Sequence, residues 1–401
     1  MKLFKYKSSE PIFYYNTDKQ VEIPEEYNQK PIRGIWVSNV RNIDLPTLLD
    51  IEEYKKQVLR MLDVCLDYSI NTIFFQVRTT NDAFYLSKLN PTSRFLVGKE
   101  GDKLPFDVFA WIIDEARKRD IDVHAWCNPY RVSFDGTMSK EEYFRTCDDM
   151  NFAKKYPEFL VLDKRNQMIL NPAKKEVKEF IIASMVEIVE NYQVAGIHFD
   201  DYFYPYSGLS ETENDDFDFS NQKLDLADFR RKNVNDVIEG VYKAIKKVDE
   251  KLVFGVSPFG IWKNKLPNQE GSNTDLACTE GYHSLYADAL AWVKGEYIDY
   301  LVPQIYWEFG HKIAPFADIC DFWVDACKDY PVKLYIGHGA YRLGNEGEFE
   351  NIHEITNQVK YANQFDKVQG NIFFTYHNFI DEGKGFLGMQ ELKKLLNGEI
   401  R

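Results

Sequence analysis

Residues 171–202 read NPAKKEVKEFIIASMVEIVENYQVAGIHFDDY, and they join one helical period to one short run of strand type. Val177, Phe180, Ile181, Ser184, Ile188 and Val189 recur at spacings of three and four, which lays an apolar stripe along a helix. Asn171 is placed to cap the free amides, with Pro172 in the first turn, where a missing N–H costs nothing. At GIHFDDY the helical period ends in a run too short for a buried helix, and that run finishes on polar residues. A helix that feeds such a strand is one unit of a parallel sheet.

Seven more runs of the same kind flank it: IRGIWVS from 32, TIFFQVR from 72, IDVHAWCN from 121, LVFGVSP from 252, YLVPQIYW from 300, VKLYIGHG from 332 and NIFFTYHN from 371. Helical segments separate them, around Val58 to Leu66, Phe106 to Arg117, Val234 to Ile245, Phe316 to Ala326 and Ile352 to Tyr361. Eight such units predict an α/β fold, a closed (β/α)₈ TIM barrel over residues 31–401, with residues 1–30 as an N-terminal lead-in. An open doubly wound sheet is the rival, but GHGAYRLG at Gly337 to Gly344 lacks the G-x-G-x-x-G spacing of a nucleotide loop.

The third and fourth units carry extra chain, so insertions follow strands three and four and are expected to wall a cleft. In PEFLVLDKRNQMILNP, two apolar runs around Lys164 to Asn166 suggest a hairpin over the barrel mouth. The acidic SETENDDFDFSNQ, residues 210–222, reads as a solvated loop, because its carboxylates lack the spacing of a calcium hand.

A net charge of −14 repels phosphate backbones and anionic membranes, which argues against nucleic-acid and membrane partners. The six cysteines lie far apart without metal-finger spacing, so reduced thiols are expected, and neither a metal nor a cofactor is called. The start shows no leader pattern, and no stretch is long and apolar enough to span a membrane; the reading is a cytoplasmic protein.

Polar residues gather where these strands end, the position of active sites in such barrels. Strand two ends in Gln76 and Arg78, strand three in His124, Trp126 and Asn128, and strand four in His198, Asp200 and Asp201. Strand six contributes Gln304, Tyr306 and Glu308, and strand seven His338. Alternation gives His198 and Asp200 one direction, and Gln304, Tyr306 and Glu308 another common one. Glycosidase chemistry needs two carboxyl groups, so Asp200 or Asp201 is the candidate nucleophile or stabiliser and Glu308 the candidate acid. Arg78, His124 and His198 are the expected partners of the aspartates. The rings of Trp36, Trp126, Tyr130, Tyr202, Tyr204, Tyr206, Tyr306 and Trp307 suit sugar faces, and Arg78, Asn128 and Gln304 can bond hydroxyl and acetamido groups.

The strings RGIWVSNV, FFQVRTTNDAFYLS, DVHAWCNPYRV, GIHFDDYFYP, VPQIYWEFGH and LYIGHGAYR resemble the glycosyl-hydrolase-like 10 proteins, in the same order, from about residue 31 to 385. The resemblance implies a (β/α)₈ barrel and a glycan substrate; a bacterial envelope member cleaves peptidoglycan strands stripped of their stem peptides. It places Arg78, Asp82, Asn128, Tyr130, Arg131, Asp200, Asp201, Tyr202, Gln304, Tyr306 and Trp307 in the pocket motifs, and Tyr341 lies in the last string. Without the leader or lipoprotein cysteine of envelope members, turnover fragments or imported oligosaccharides are the expected substrates.

The reading is therefore a glycoside hydrolase acting on an N-acetylhexosamine-containing glycan. Two alternatives stand beside it: a carbohydrate-binding barrel without catalysis, and a metal hydrolase built on His124, His198, Asp200 and His338.

Overall fold

In the computed structural model, which describes residues 1–220 and 223–400, all eight expected runs carry strands of one closed barrel. The barrel strands are β1 (Ile32–Val37), β2 (Thr72–Arg78), β3 (Asp122–Cys127), β6 (Gly196–Phe199), β7 (Val253–Val256), β8 (Tyr300–Leu301), β9 (Lys333–His338) and β10 (Val368–Phe374). Every neighbouring pair is parallel, and β1 closes the ring between β10 and β2. The predicted hairpin is there as β4 (Leu160–Leu162) and β5 (Met168–Leu170), paired antiparallel.

Alternation along the strands divides two cores. Ile35, Val37, Ile73, Phe75, Val123, Ile197, Leu334 and Ile336 face outward into the large core shared with the helices. Trp36, Phe74, Trp126, Tyr300, Val302, Tyr335 and Ile372 fill the barrel itself. The register stacks Gln76, Trp126, His198, Gly255 and Tyr300 side by side around the ring. A Cβ on Gly255 would lie 2.1 Å from the Tyr300 ring, so only glycine lets that ring cross the barrel.

Three local expectations change. The helix after the hairpin spans Lys175–Asn191 and begins later than the Asn171 and Pro172 signal. Asn171 accepts the Ala173 N–H at 2.9 Å in a turn instead, since a residue before proline is pushed out of the helical region. Strand six breaks after Leu301, because Pro303 has no N–H for the ladder; pairing resumes as single bridges from Gln304 to Phe259 and Gly337. In the acidic 210–222 segment, whose Asn221 and Gln222 lie outside the described residues, Asp215 is buried and ion-paired with Arg230 at 2.5 Å. Part of that loop is therefore an anchor and not solvated chain.

The lead-in forms antiparallel bridges of its own, and Leu3, Ile12, Val21 and Ile23 join the large core. All six cysteines are free thiols. Among the described residues no helix is long and apolar enough to cross a membrane, and no group of three His, Cys, Asp or Glu side chains converges as a metal site.

Candidate active site

At the C-terminal mouth of the barrel lies a cavity of about 300 Å³. Its walls include Trp36, Gln76, Trp126, Arg131, Asp200, Asp201, Tyr202, Tyr206, Ser257, Gln304, Tyr306, Tyr341 and Phe374. β6 ends at Phe199, so strand alternation no longer holds beyond it and the two consecutive aspartates both face this space.

Their environments differ. Trp126 donates its indole N–H to Asp200 Oδ2 at 3.1 Å, the Asn128 amide donates to the same oxygen, and the Tyr202 backbone N–H reaches Oδ1 at 3.2 Å. Burial pushes the Asp200 carboxyl pKa up, while the nearby Arg131 charge and these donors oppose that rise. Asp201 accepts the Tyr206 hydroxyl. Burial, and then the neighbouring Asp200 charge, push its carboxyl up to about 7. Two carboxylates this close and this dry do not both ionise readily, so the second proton stays on the pair near neutrality.

Asn128 is itself oriented. Gln76 donates to its Oδ1 at 2.6 Å and Arg131 at 3.3 Å, which leaves the Asn128 NH₂ to turn toward Asp200. Gln76 in turn accepts the N–H groups of Asn39 and Val40, each at 2.9 Å, tying the loop after β1 to the same chain of bonds. The Arg131 guanidinium lies over the Tyr202 ring, 4.2 Å from its centroid.

Below the cavity runs a neutral polar chain. Trp36 can only donate, so the His198 Nε2 that it meets at 3.2 Å is an acceptor and the ring proton sits on Nδ1. That proton goes to the Tyr300 hydroxyl at 3.1 Å, and the tyrosine passes its own to His124 Nδ1 at 3.0 Å. Burial holds His124 down at about 3 and His198 well below the usual range. These histidines are uncharged barrel filling, not the expected ionic partners of the aspartates.

Other candidates stand elsewhere. Arg78 is fully buried and donates to the carbonyls of Asn128 at 2.5 Å and Pro129 at 2.9 Å and to Asn81 at 2.7 Å, so it secures the loop that carries Asn128 and touches no mouth carboxylate. Asp82 accepts the N–H groups of Thr79 and Thr80 and organises a turn. Tyr130 lies in the outer core. Tyr335 and Gly337 take the inward positions of β9, which sends His338 outward between Phe316 and Phe373, bonded to Gln358 and Asn371. It therefore cannot join the His124, His198 and Asp200 set considered as metal ligands.

Glu308 is not part of the cavity wall; it faces Arg342 at 3.7 Å. The break at Pro303 ends strand periodicity, so Gln304 and Tyr306 reach the site while Glu308 and Trp307, packed on Phe259, do not. Ser38, Ser257, Phe134 and Phe374 line the cavity without having been singled out. Ser257 and Phe374 stand at strand ends in the sequence, where a small or apolar side chain leaves no polar signal of a site.

The chain matches the family described as Glycosyl hydrolase-like 10 over residues 31–354. It is 33% identical over 372 residues to glycosyl hydrolase YngK of Bacillus subtilis (strain 168), across 91% of this chain and 71% of that protein. Glycosyl hydrolase DigH of Escherichia coli (strain K12) is 31% identical over 369 residues, across 87% of this chain and 84% of that one. The glycoside hydrolase domain of PgaB (BpsB) from Bordetella bronchiseptica shares the fold, with a TM-score of 0.55 at 12% identity, covering 91% of this chain and 99% of that domain. With the barrel, the six motifs in order and this match over most of its length, the chain belongs to the glycosyl hydrolase-like 10 family.

Proposed function

We propose that this protein is a glycoside hydrolase that cleaves an N-acetylhexosamine-containing glycan, of the peptidoglycan type, with Asp201 as general acid and Asp200 as the carboxylate that steadies the substrate's acetamido group. One observation carries the reading: the carboxyls of the mouth cavity are two consecutive residues, one anchored by three donors and the other held toward its protonated form. Glycosidase relatives and the tyrosine and tryptophan walls support a carbohydrate in that space.

The pairing also favours a route. A retaining enzyme with its own nucleophile sets two carboxyls about 5 Å apart across the scissile bond, whereas consecutive side chains at one strand end approach from one wall. A 2-acetamido group supplies the missing nucleophile. Its carbonyl oxygen attacks the anomeric carbon while Asp201 gives its proton to the departing glycosidic oxygen. Asp200, whose Oδ1 takes a single backbone donor, accepts the acetamido N–H as positive charge develops there. Water then opens the cyclic intermediate, Asp201 takes its proton, and the anomeric configuration is retained.

The test is incubation with defined chitin and peptidoglycan oligosaccharides, with products read by mass spectrometry and the first-formed anomer by NMR. Cleavage with retention is expected. Intact substrates from both series would overturn the glycosidase reading, and an inverted anomer would overturn the route alone.

A further inference from the structure

Asp44 is a half-buried carboxylate that the cleavage route above does not use, and it joins two of the loops that wall the mouth. On the loop after β1, Asp44 Oδ2 accepts the Ser38 N–H at 2.5 Å while the Asp44 N–H goes to the Ser38 carbonyl at 3.1 Å, so residues 38–44 are clasped into a closed turn. Asp44 Oδ1 reaches the loop after β10, where it accepts the Thr375 hydroxyl at 2.8 Å and the His377 N–H at 2.7 Å. Ser38, Val40 and Ile43 on the first loop and Phe374 beside the second line the cavity that holds the aspartate pair.

The clasp also reaches the pair through bonds. The two residues after Ser38 give their N–H groups to Gln76 Oε1, and the Asn39 amide donates to the Gln76 carbonyl at 2.6 Å. Gln76 holds Asn128, whose NH₂ meets Asp200 Oδ2. Ser38 and Asn39 are 1% and 0% exposed, so water has no room to replace a bond lost there, and a shift of this turn passes through Gln76 and Asn128 to Asp200.

Two of the three donors to Asp44 are backbone amides, one at each oxygen, and they cannot turn round. Only a carboxylate accepts fully at both oxygens; an amide in its place sets an NH₂ against a backbone N–H in either orientation. Burial pushes the Asp44 carboxyl up to about 6 against the pull of these donors and of the His377 charge. The other ionisable group beside it is the Tyr376 phenol, behind which lie Arg60 and Cys65 of the helix Ile51–Asp67.

We propose that Asp44, in its ionised form, is a positioning residue for cleavage: it fixes the loops after β1 and β10 as one wall of the mouth and, through Gln76 and Asn128, sets the stance of Asp200. The assignment rests on the glycosidase reading for its effect on rate and on the bonded chain alone for its effect on Asp200.

The test compares the unmodified full chain with Asp44→Asn, Asp44→Glu and, as a control, Asp318→Asn, which removes a buried acceptor for the Tyr15 N–H away from the mouth. The substrates are defined chitin and peptidoglycan oligosaccharides. Asp44→Asn should lower kcat about tenfold at pH 7.5, where Asp44 is ionised, and by less than about twofold at pH 5, where the unmodified residue is itself protonated. Taking the ratio of the two proteins at each pH cancels the titration of Asp200 and Asp201, which both share. Asp44→Glu keeps the charge and should recover part of the loss, and Asp318→Asn should keep kcat within about twofold at both pH values. A second readout needs no turnover: carbon-13 NMR of labelled aspartate carboxyls, assigned with Asp200→Asn and Asp201→Asn. In Asp44→Asn the Asp200 carboxyl should titrate at higher pH, because a displaced Asn128 no longer favours its ionised form. A kcat ratio that is the same at both pH values, an equal loss in Asp318→Asn, or an Asp200 titration that Asp44→Asn leaves in place overturns the positioning role. If the unmodified protein cleaves neither series, the glycosidase reading falls and the Asp200 titration alone decides whether Asp44 sets its stance.

Discussion

Asp201 and Glu308 show how much depends on a few ångströms of chain path. Both are carboxyls at the end of a barrel strand, but one is buried beside a second aspartate at the mouth and the other faces Arg342 outside the cavity. Asp201→Asn should lower kcat on a natural glycan by about 10²–10⁴-fold, with a smaller loss on an activated aryl glycoside that needs little protonation. Glu308→Gln should leave hydrolysis within about twofold of the unmodified rate, since general acid catalysis requires reach to the leaving oxygen. Steady-state kinetics on both substrates separate these outcomes. Arg78 makes a different point: one guanidinium nitrogen donates to the Asn128 and Pro129 carbonyls and the other to Asn81, so it ties the loop after β2 to the loop carrying Asn128. Arg78→Lys should destabilise the protein by about 2–3 kcal/mol in urea unfolding and reduce activity through a displaced Asn128, because lysine cannot serve several carbonyls in one plane.

Among elements, the strands explain both what was legible and what was not. β-branched and aromatic runs at even pattern marked all eight barrel strands, since residues that fill a pleated, doubly covered sheet leave that signature. Which way an end residue faces follows from parity only while the strand persists. β9 keeps its parity through His338 and turns it outward, whereas β8 loses it at Pro303 and takes Glu308 out of the site. The interior layer of Gly255, His198 and Tyr300 is equally strict, because the Tyr300 ring fills the space above the glycine. Gly255→Ala should therefore cost about 1–3 kcal/mol by displacing that ring and its bonds to both histidines, measurable as a lower midpoint in denaturant at unchanged slope.

Over the whole molecule, buried ionisable groups set the pH range of stability. Burial raises Asp44 and Asp318 to about 6, Asp201 to about 7 and Glu354 to about 8. A raised carboxyl keeps its proton in the fold after the unfolded chain has lost it, so its stabilising effect is full below about pH 4 and is lost as pH rises through the folded value. His124, near 3, and His338, near 4, act in the opposite sense: their effect is full above about pH 6.5 and is lost as pH falls. Between those limits the two trends oppose each other, and beyond them each acts alone. The thermal midpoint should thus peak on the acid side of neutrality, lower at pH 8.5 than at 6 and lower again at pH 3. Glu354→Gln keeps an acceptor for the Phe309 N–H and removes the buried charge, so it should add more than about 1 kcal/mol at pH 9 and little at pH 5. Calorimetric scans of both proteins across this range check the sign.

The amino-acid sequence alone determined the number of strands, their parallel order, the hairpin over the mouth and the pair Asp200 and Asp201, because period, β-branching and turn residues act locally along the chain. Only the tertiary structure decided the working partners of that pair. Trp126, Asn128 and Gln76 come from distant segments that ring closure brings together, Tyr206 folds back from five residues along the same loop, and burial pushes both aspartates toward their protonated forms. Desolvation and approach across a closed barrel depend on all eight strands at once, and no local pattern records them.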